Sequence, residues 1–102
     1  MKNVENAVGK LVAALADTKE YREYMKARAK IAPDEMESVN AYKRLRASLM
    51  MNHSDEDERR AKELGSRLLL NPDTRNYMLC EKRILNMVAG IYDEIGSGLK
   101  IV

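Results

Sequence analysis

Few residues in this 102-residue chain are of the types that do chemistry. His53, the one histidine, stands beside Ser54 and Asp55. These are the residue types of a nucleophile relay. Relay members converge from separate elements, however, so three neighbours in one loop cannot take those places. The run Asp55-Glu56-Asp57-Glu58 offers carboxylates to a cation. It reads better as the first turn of a helix, where acids face the positive end of the helix dipole. Bases follow at four-residue spacing: Asp55–Arg59, Glu56–Arg60 and Glu58–Lys62, then Glu63–Arg67. Acid before base is the favourable order, about 0.2–0.5 kcal/mol per pair. The run is therefore expected to be a solvated helix face, and no metal is expected.

Cys80 is the one cysteine. It excludes an internal disulfide, a CxxC zinc site and an all-cysteine iron–sulfur cluster held by one chain. A lone thiol fits a reducing compartment, so a cytoplasmic location is expected. On a helical wheel Cys80 shares an arc with Tyr77, Ile84, Val88, Ile91 and Ile95. A thiol there acts as a small hydrophobe. No glycine-rich phosphate loop follows a strand, because no segment shows strand alternation. With no nucleophile–base pair, metal set or phosphate loop, neither enzymatic activity nor a cofactor is expected. The basic pairs Lys43-Arg44, Arg59-Arg60 and Lys82-Arg83 are spread among acids without aromatics to stack bases. Lys+Arg 18 against Asp+Glu 16 leaves a net charge of +2. Direct RNA binding is thus the alternative reading, and DNA binding is not expected.

Helices must position these residues. The 45% hydrophobic and 33% charged composition is that of a globular chain. Area scaling gives a folded surface of roughly 5,800 Å² against roughly 16,800 Å² extended, enough for one modest core and a single domain over 1–102. No apolar run approaches the ~20 residues that span a bilayer, so no membrane contact is expected. The opening MKNVENAVGKL has no uninterrupted apolar stretch, so no signal peptide is expected.

The apolar spacing predicts an all-α fold: about five helices over 4–16, 18–31, 34–51, 55–70 and 72–95, in a small bundle with two long members, and a tail over 96–102. Asp17 with Glu20, and Asp34 with Glu37, read as D-x-x-E starts. Ser54 reads as a cap, and Asn71-Pro72 as Asn at the N-cap with Pro at the first helical position. Gly96-Ser97-Gly98 is expected to end the last helix. Gly9, Gly65 and Gly90 lie inside helices, either for close helix–helix approach or as a tolerated cost of about 1 kcal/mol each.

The apolar faces are broad. On the last helix Met78, Leu85 and Tyr92 repeat at heptad spacing beside the first stripe and widen the arc to about half the circumference, where a monomer surface helix needs about 100°. The third helix is similarly broad from Leu45 through Val39 to Met36. Such arcs in so small a chain suggest a subunit–subunit surface; the alternative is a bundle that wraps the last helix on several sides. The expected partner contacts are Tyr42, Arg46, Met50, Met78, Glu81, Leu85 and Tyr92. Glu81 lies between the two stripes and needs a partner, expected to be Arg46 or Arg28.

From Val4 to Ile95 the chain resembles the YlbF/YmcA family of bacterial regulators. The resemblance rests on Ala7, Leu11 and Leu15, on Glu20-Tyr21-Arg22-Glu23-Tyr24, on Pro33-Asp34, and above all on Leu70-Asn71-Pro72 followed by Asn76-Tyr77-Met78 and Glu81. Glu81 falls on the family's glutamate, and Cys80 where a small residue is usual. The resemblance implies an all-helical, cytoplasmic, non-enzymatic protein that works as a homo-oligomer or with sister proteins. It also implies action with a third partner in competence, sporulation and biofilm formation, in a complex linked to iron–sulfur clusters and to the endoribonuclease that processes mRNA.

Overall fold

The computed structural model describes residues 1–101. Five helices and no strand occur among them: α1 (Lys2–Ala16), α2 (Lys19–Ala29), α3 (Pro33–Met51), α4 (Asp55–Leu70) and α5 (Pro72–Leu99). The helix starts follow from side chains that satisfy the first orphan amides. Ser54 Oγ accepts from the Asp57 amide at 3.3 Å. Asn71 Oδ1 accepts from Asp73 and Thr74, at 3.0 and 3.4 Å, with Pro72 at the first position.

Two caps differ from the sequence expectation. Thr18, not Asp17, caps α2: its backbone is extended and its Oγ1 accepts from Tyr21 at 3.2 Å. Asp17 instead closes α1, and its carboxylate meets Arg22 at 3.4 Å. At α3 the N-cap is Ala32, with no side-chain cap, and Pro33 begins the helix. Asp34 lies inside the first turn, where its carboxylate takes the Glu35 amide at 3.0 Å.

Two helix ends differ as well. α2 stops at Ala29 rather than 31, where the amides of Lys30 and Ile31 tighten onto Ala27 and Arg28. This frees Ile31 to fold against the core. α5 runs through Gly96-Ser97-Gly98 to Leu99, because extending a long helix adds one hydrogen bond per residue and outweighs the low glycine propensity. It ends at Lys100, whose left-handed φ of 60° lets Ile101 and Lys100 donate to Gly96 and Ser97. The expected tail over 96–102 is thus helical as far as Leu99, and Val102 lies outside the described residues.

The core sits where α2, α3, α4 and the first half of α5 meet. Ala27, Val39, Leu68, Tyr77 and Cys80 are buried, ringed by Tyr24, Ile31, Met36, Tyr42, Leu64 and Met78. The three-residue turn between α3 and α4 makes them an antiparallel hairpin. Both α2 and α4 lie on α5, whereas α1 leans mainly on α2 and has no buried residue. Thr74 is fully buried and donates to Glu35 Oε1 at 3.1 Å, tying α5 to α3.

The charged face of α4 repartners relative to the expected pairs. Glu58–Lys62 forms at 3.9 Å, but Arg59 reaches forward to Glu63 and Arg60 back to Asp57. Asp55 turns to His53, and Arg67 crosses to Glu35. Exposed side chains choose among several acids at little energetic difference.

Gly65 is a glycine that packing requires. A Cβ there would stand 2.9 Å from Tyr42 Cε1, whereas one at Gly9 or Gly90 would meet nothing within 4 Å. Gly65→Val should therefore lower stability by about 1–3 kcal/mol through overpacking. Gly90→Ala should raise it by up to about 1 kcal/mol through helix propensity. Urea unfolding followed by circular dichroism distinguishes them; equal effects would mean that the α3–α4 approach does not depend on Gly65.

Candidate interaction surface

A polar cluster pins three helices at the centre of the molecule. Tyr77 and Glu81 stand one turn apart on α5, and the Tyr77 hydroxyl donates to Glu81 Oε2 at 3.3 Å. Lys43 of α3 forms an ion pair with the same carboxylate oxygen. Its ammonium also lies 5.6 Å from the centre of the Tyr77 ring, within cation–π range. Tyr24 of α2 stacks on Tyr77 with ring centres 5.5 Å apart and hydroxyls at 3.5 Å. Burial first, then the Tyr24 hydrogen bond and the Glu81 charge, push the Tyr77 hydroxyl above its ordinary pKa.

The partner of Glu81 is therefore Lys43, not Arg46 or Arg28, both of which are exposed. Lys43 lies one turn beyond the fully buried Val39 and two beyond Met36, so its stem follows the core stripe of α3. Arg46 lies nearly a turn further along.

The seven expected contact residues fall in three places. Tyr42 and Met78 pack against the core, and Glu81 is held by Lys43 and Tyr77, so these three serve the chain's own packing. Arg46 and Met50 lie near the end of α3, beside a shallow hollow shared with Leu49, His53 and Glu58. Leu85 and Tyr92, 60% and 70% exposed, stand on the second half of α5.

Exposed apolar side chains lie on α1 and on the later part of α5, among them Val88 and Ile95 of the Cys80 arc. Val4, Val8 and Val12 of α1 and Val88, Ile95 and Leu99 of α5 are all exposed. The last turn of α1 meets the middle of α5 across a cleft of about 190 Å³ lined by Val12, Leu15, Ala16, Tyr21, Ile84, Met87 and Val88. Val4, Val8, Leu11 and Leu15 stand at helical spacing in α1. What covers a stripe is not written in its period.

The molecule as a whole shows the same shortfall of burial. Its accessible surface is 7988 Å², about 2,100 Å² more than area scaling gives for this mass. Its radius of gyration is 16.8 Å, where a closely packed domain of this length has about 13 Å.

One group of metal-ligating types comes together. His53 Nε2 lies 2.9 Å from Asp55 Oδ1 and 3.5 Å from Glu58 Oε2. All three are largely open to solvent at the positive end of α4, where the helix dipole disfavours a cation. They read as an ion-paired turn. Cys80 is a buried free thiol. No helix among the described residues is long and apolar enough to cross a membrane.

These features define an all-helical protein with a polar-pinned centre and an uncovered apolar flank. The chain belongs to the YlbF/YmcA family: the family described as "Control of competence regulator ComK, YlbF/YmcA" matches residues 4–100. No curated protein and no solved structure matches the chain.

Two measurements check the central cluster. Lys43→Ala should destabilise the fold more than Arg46→Ala, whose effect should stay within about 0.5 kcal/mol for a surface site; equal losses would remove the Lys43 assignment. Because the Tyr77 pKa is raised on folding, its contribution is complete below the ordinary tyrosine value of about 10 and falls as pH climbs beyond it. Tyr77→Phe should flatten the decline of stability above pH ~10 by up to about 1.4 kcal/mol per pH unit. An unchanged slope would contradict the raised value.

Proposed function

We propose that the protein is a non-enzymatic regulatory adaptor that acts by associating with other subunits through α1 and the second half of α5. The observation that carries this reading is the apolar surface left outside on those two elements, Leu85 and Tyr92 included. Exposed apolar side chains gathered on a surface mark interaction sites.

The occupant is a second copy of the chain or a sister protein of the same family. In this reading the assembly is cytoplasmic, serves the competence, sporulation and biofilm regulation that the family resemblance implies, and joins an RNA-processing complex through protein contacts. A buried, unpaired Cys80 agrees with a reducing compartment.

In light scattering, the wild-type protein should have a mass that is a multiple of 11.6 kDa. Leu85→Asp should shift it toward the monomer and weaken association at least ~100-fold, since a buried leucine contributes about 1.5–3 kcal/mol and the new carboxylate adds a desolvation cost. Helical circular dichroism should be retained. A monomeric wild type would overturn the second-copy reading, and an unchanged mass in the variant of an oligomeric wild type would overturn the assignment of this surface.

A further inference from the structure

A second recessed surface lies between α3 and α4, away from the α1–α5 flank. It is an open groove of about 610 Å³. Ala41, Leu45 and Leu64 form its apolar floor, and Arg44, Arg60 and Arg67 stand along its banks. Glu63 also borders it but is engaged by Arg59 at 3.0 Å. Arg60 and Arg67 have only long ion pairs, 3.7 Å to Asp57 and 3.8 Å to Glu35, and both side chains are more than half exposed. Among the described residues Arg44 forms no ion pair.

We infer that this groove docks an amphipathic helix of a different protein, one with an apolar stripe flanked by acidic residues. The inference rests on the association reading above and gives it a second, separate surface. A helix-wide trough with an apolar floor takes the apolar face of a helix. Arginines on both banks select carboxylates beside that face, because guanidinium–carboxylate hydrogen bonds are charge-assisted and directional. Arg60 and Arg67 are seven residues apart, about 10.5 Å along α4. The matching acids must therefore be spaced over two turns.

This chain's own free helices do not meet that requirement. α1 has one acid, Glu5, between Lys2 and Lys10. The end of α5 has Asp93 and Glu94, which are adjacent and so lie at one level of the helix. A second copy is thus a poorer occupant than a partner helix with glutamates at i and i+7.

The test uses three probes in fluorescence anisotropy with the full chain. The first is an 18-residue helical peptide with a leucine stripe flanked by glutamates at seven-residue spacing. The second has lysines in place of the glutamates, and the third is the peptide of residues 84–99. The glutamate peptide should bind at least tenfold more tightly than either of the others. The variant Arg44→Glu/Arg60→Glu/Arg67→Glu should weaken it at least tenfold without changing the oligomeric mass. If that variant fails to fold, the corresponding glutamine variant serves instead. Equal binding of the glutamate and lysine peptides, no binding, or indifference to the arginine variants would overturn the inference. So would equal binding of the 84–99 peptide, which would make the occupant a second copy. Displacement of the glutamate peptide by a uridine dodecamer that binds more tightly through the same arginines would overturn it in favour of RNA. A change in mass on Leu85→Asp reports on the α1–α5 flank independently of all these outcomes.

Discussion

A 28-residue helix is about 42 Å long, and in this protein the fully buried residues of α5 lie in its first third, apart from Gly96 near its end, while Ile84, Met87 and Ile91 are half-buried. That mismatch governs the rest of the structure. From Pro72 to Cys80, α5 is packed by α2 and α4 and tied to α3, and Thr74, Tyr77 and Cys80 are buried. Beyond that point Leu85, Val88, Tyr92, Ile95 and Leu99 remain outside. α1, which lies toward this uncovered half, has no buried side chain at all. Apolar side chains of α1 and of the end of α5 are left exposed.

The packed half is specified by polar groups as much as by volume. Lys43, Tyr24, Tyr77 and Glu81 come from three helices and meet around one carboxylate. Tyr77 and Glu81 are little exposed, so separating them from their partners would strand polar atoms away from water. Such a cluster fixes the relative register of α2, α3 and α5, and no buried side-chain nitrogen or oxygen among the described residues lacks a partner. The Gly65–Tyr42 approach adds a steric constraint on the α3–α4 hairpin. Together these fix the first part of α5 against α2, α3 and α4.

Much of the architecture was legible because it is local. Ser54 and Asn71-Pro72 announce helix starts through bonds that reach two or three residues. The Asp17–Thr18 difference arises because both residue types cap, and backbone conformation chooses between neighbours. Gly96-Ser97-Gly98 misled because propensity is a local property whereas helix propagation is cooperative. The apolar arcs were also legible, but not their cover: Met78 packs against the chain's own core, while Leu85 and Tyr92 of the same stripe do not. A wheel gives the direction of a side chain and not the distance to the next element. Lys43 was hidden for another reason. Beside Arg44 it reads as half of a basic pair, although its spacing from Met36 and Val39 places it on the core stripe.

The most direct test of the covered-flank reading is amide hydrogen exchange measured over a range of protein concentrations. If another copy covers α1 and the end of α5, amides in residues 2–16 and 85–99 should gain protection as concentration rises, while those around Tyr77 stay constant. Exchange in those two segments that is rapid and independent of concentration would contradict a self-associating flank.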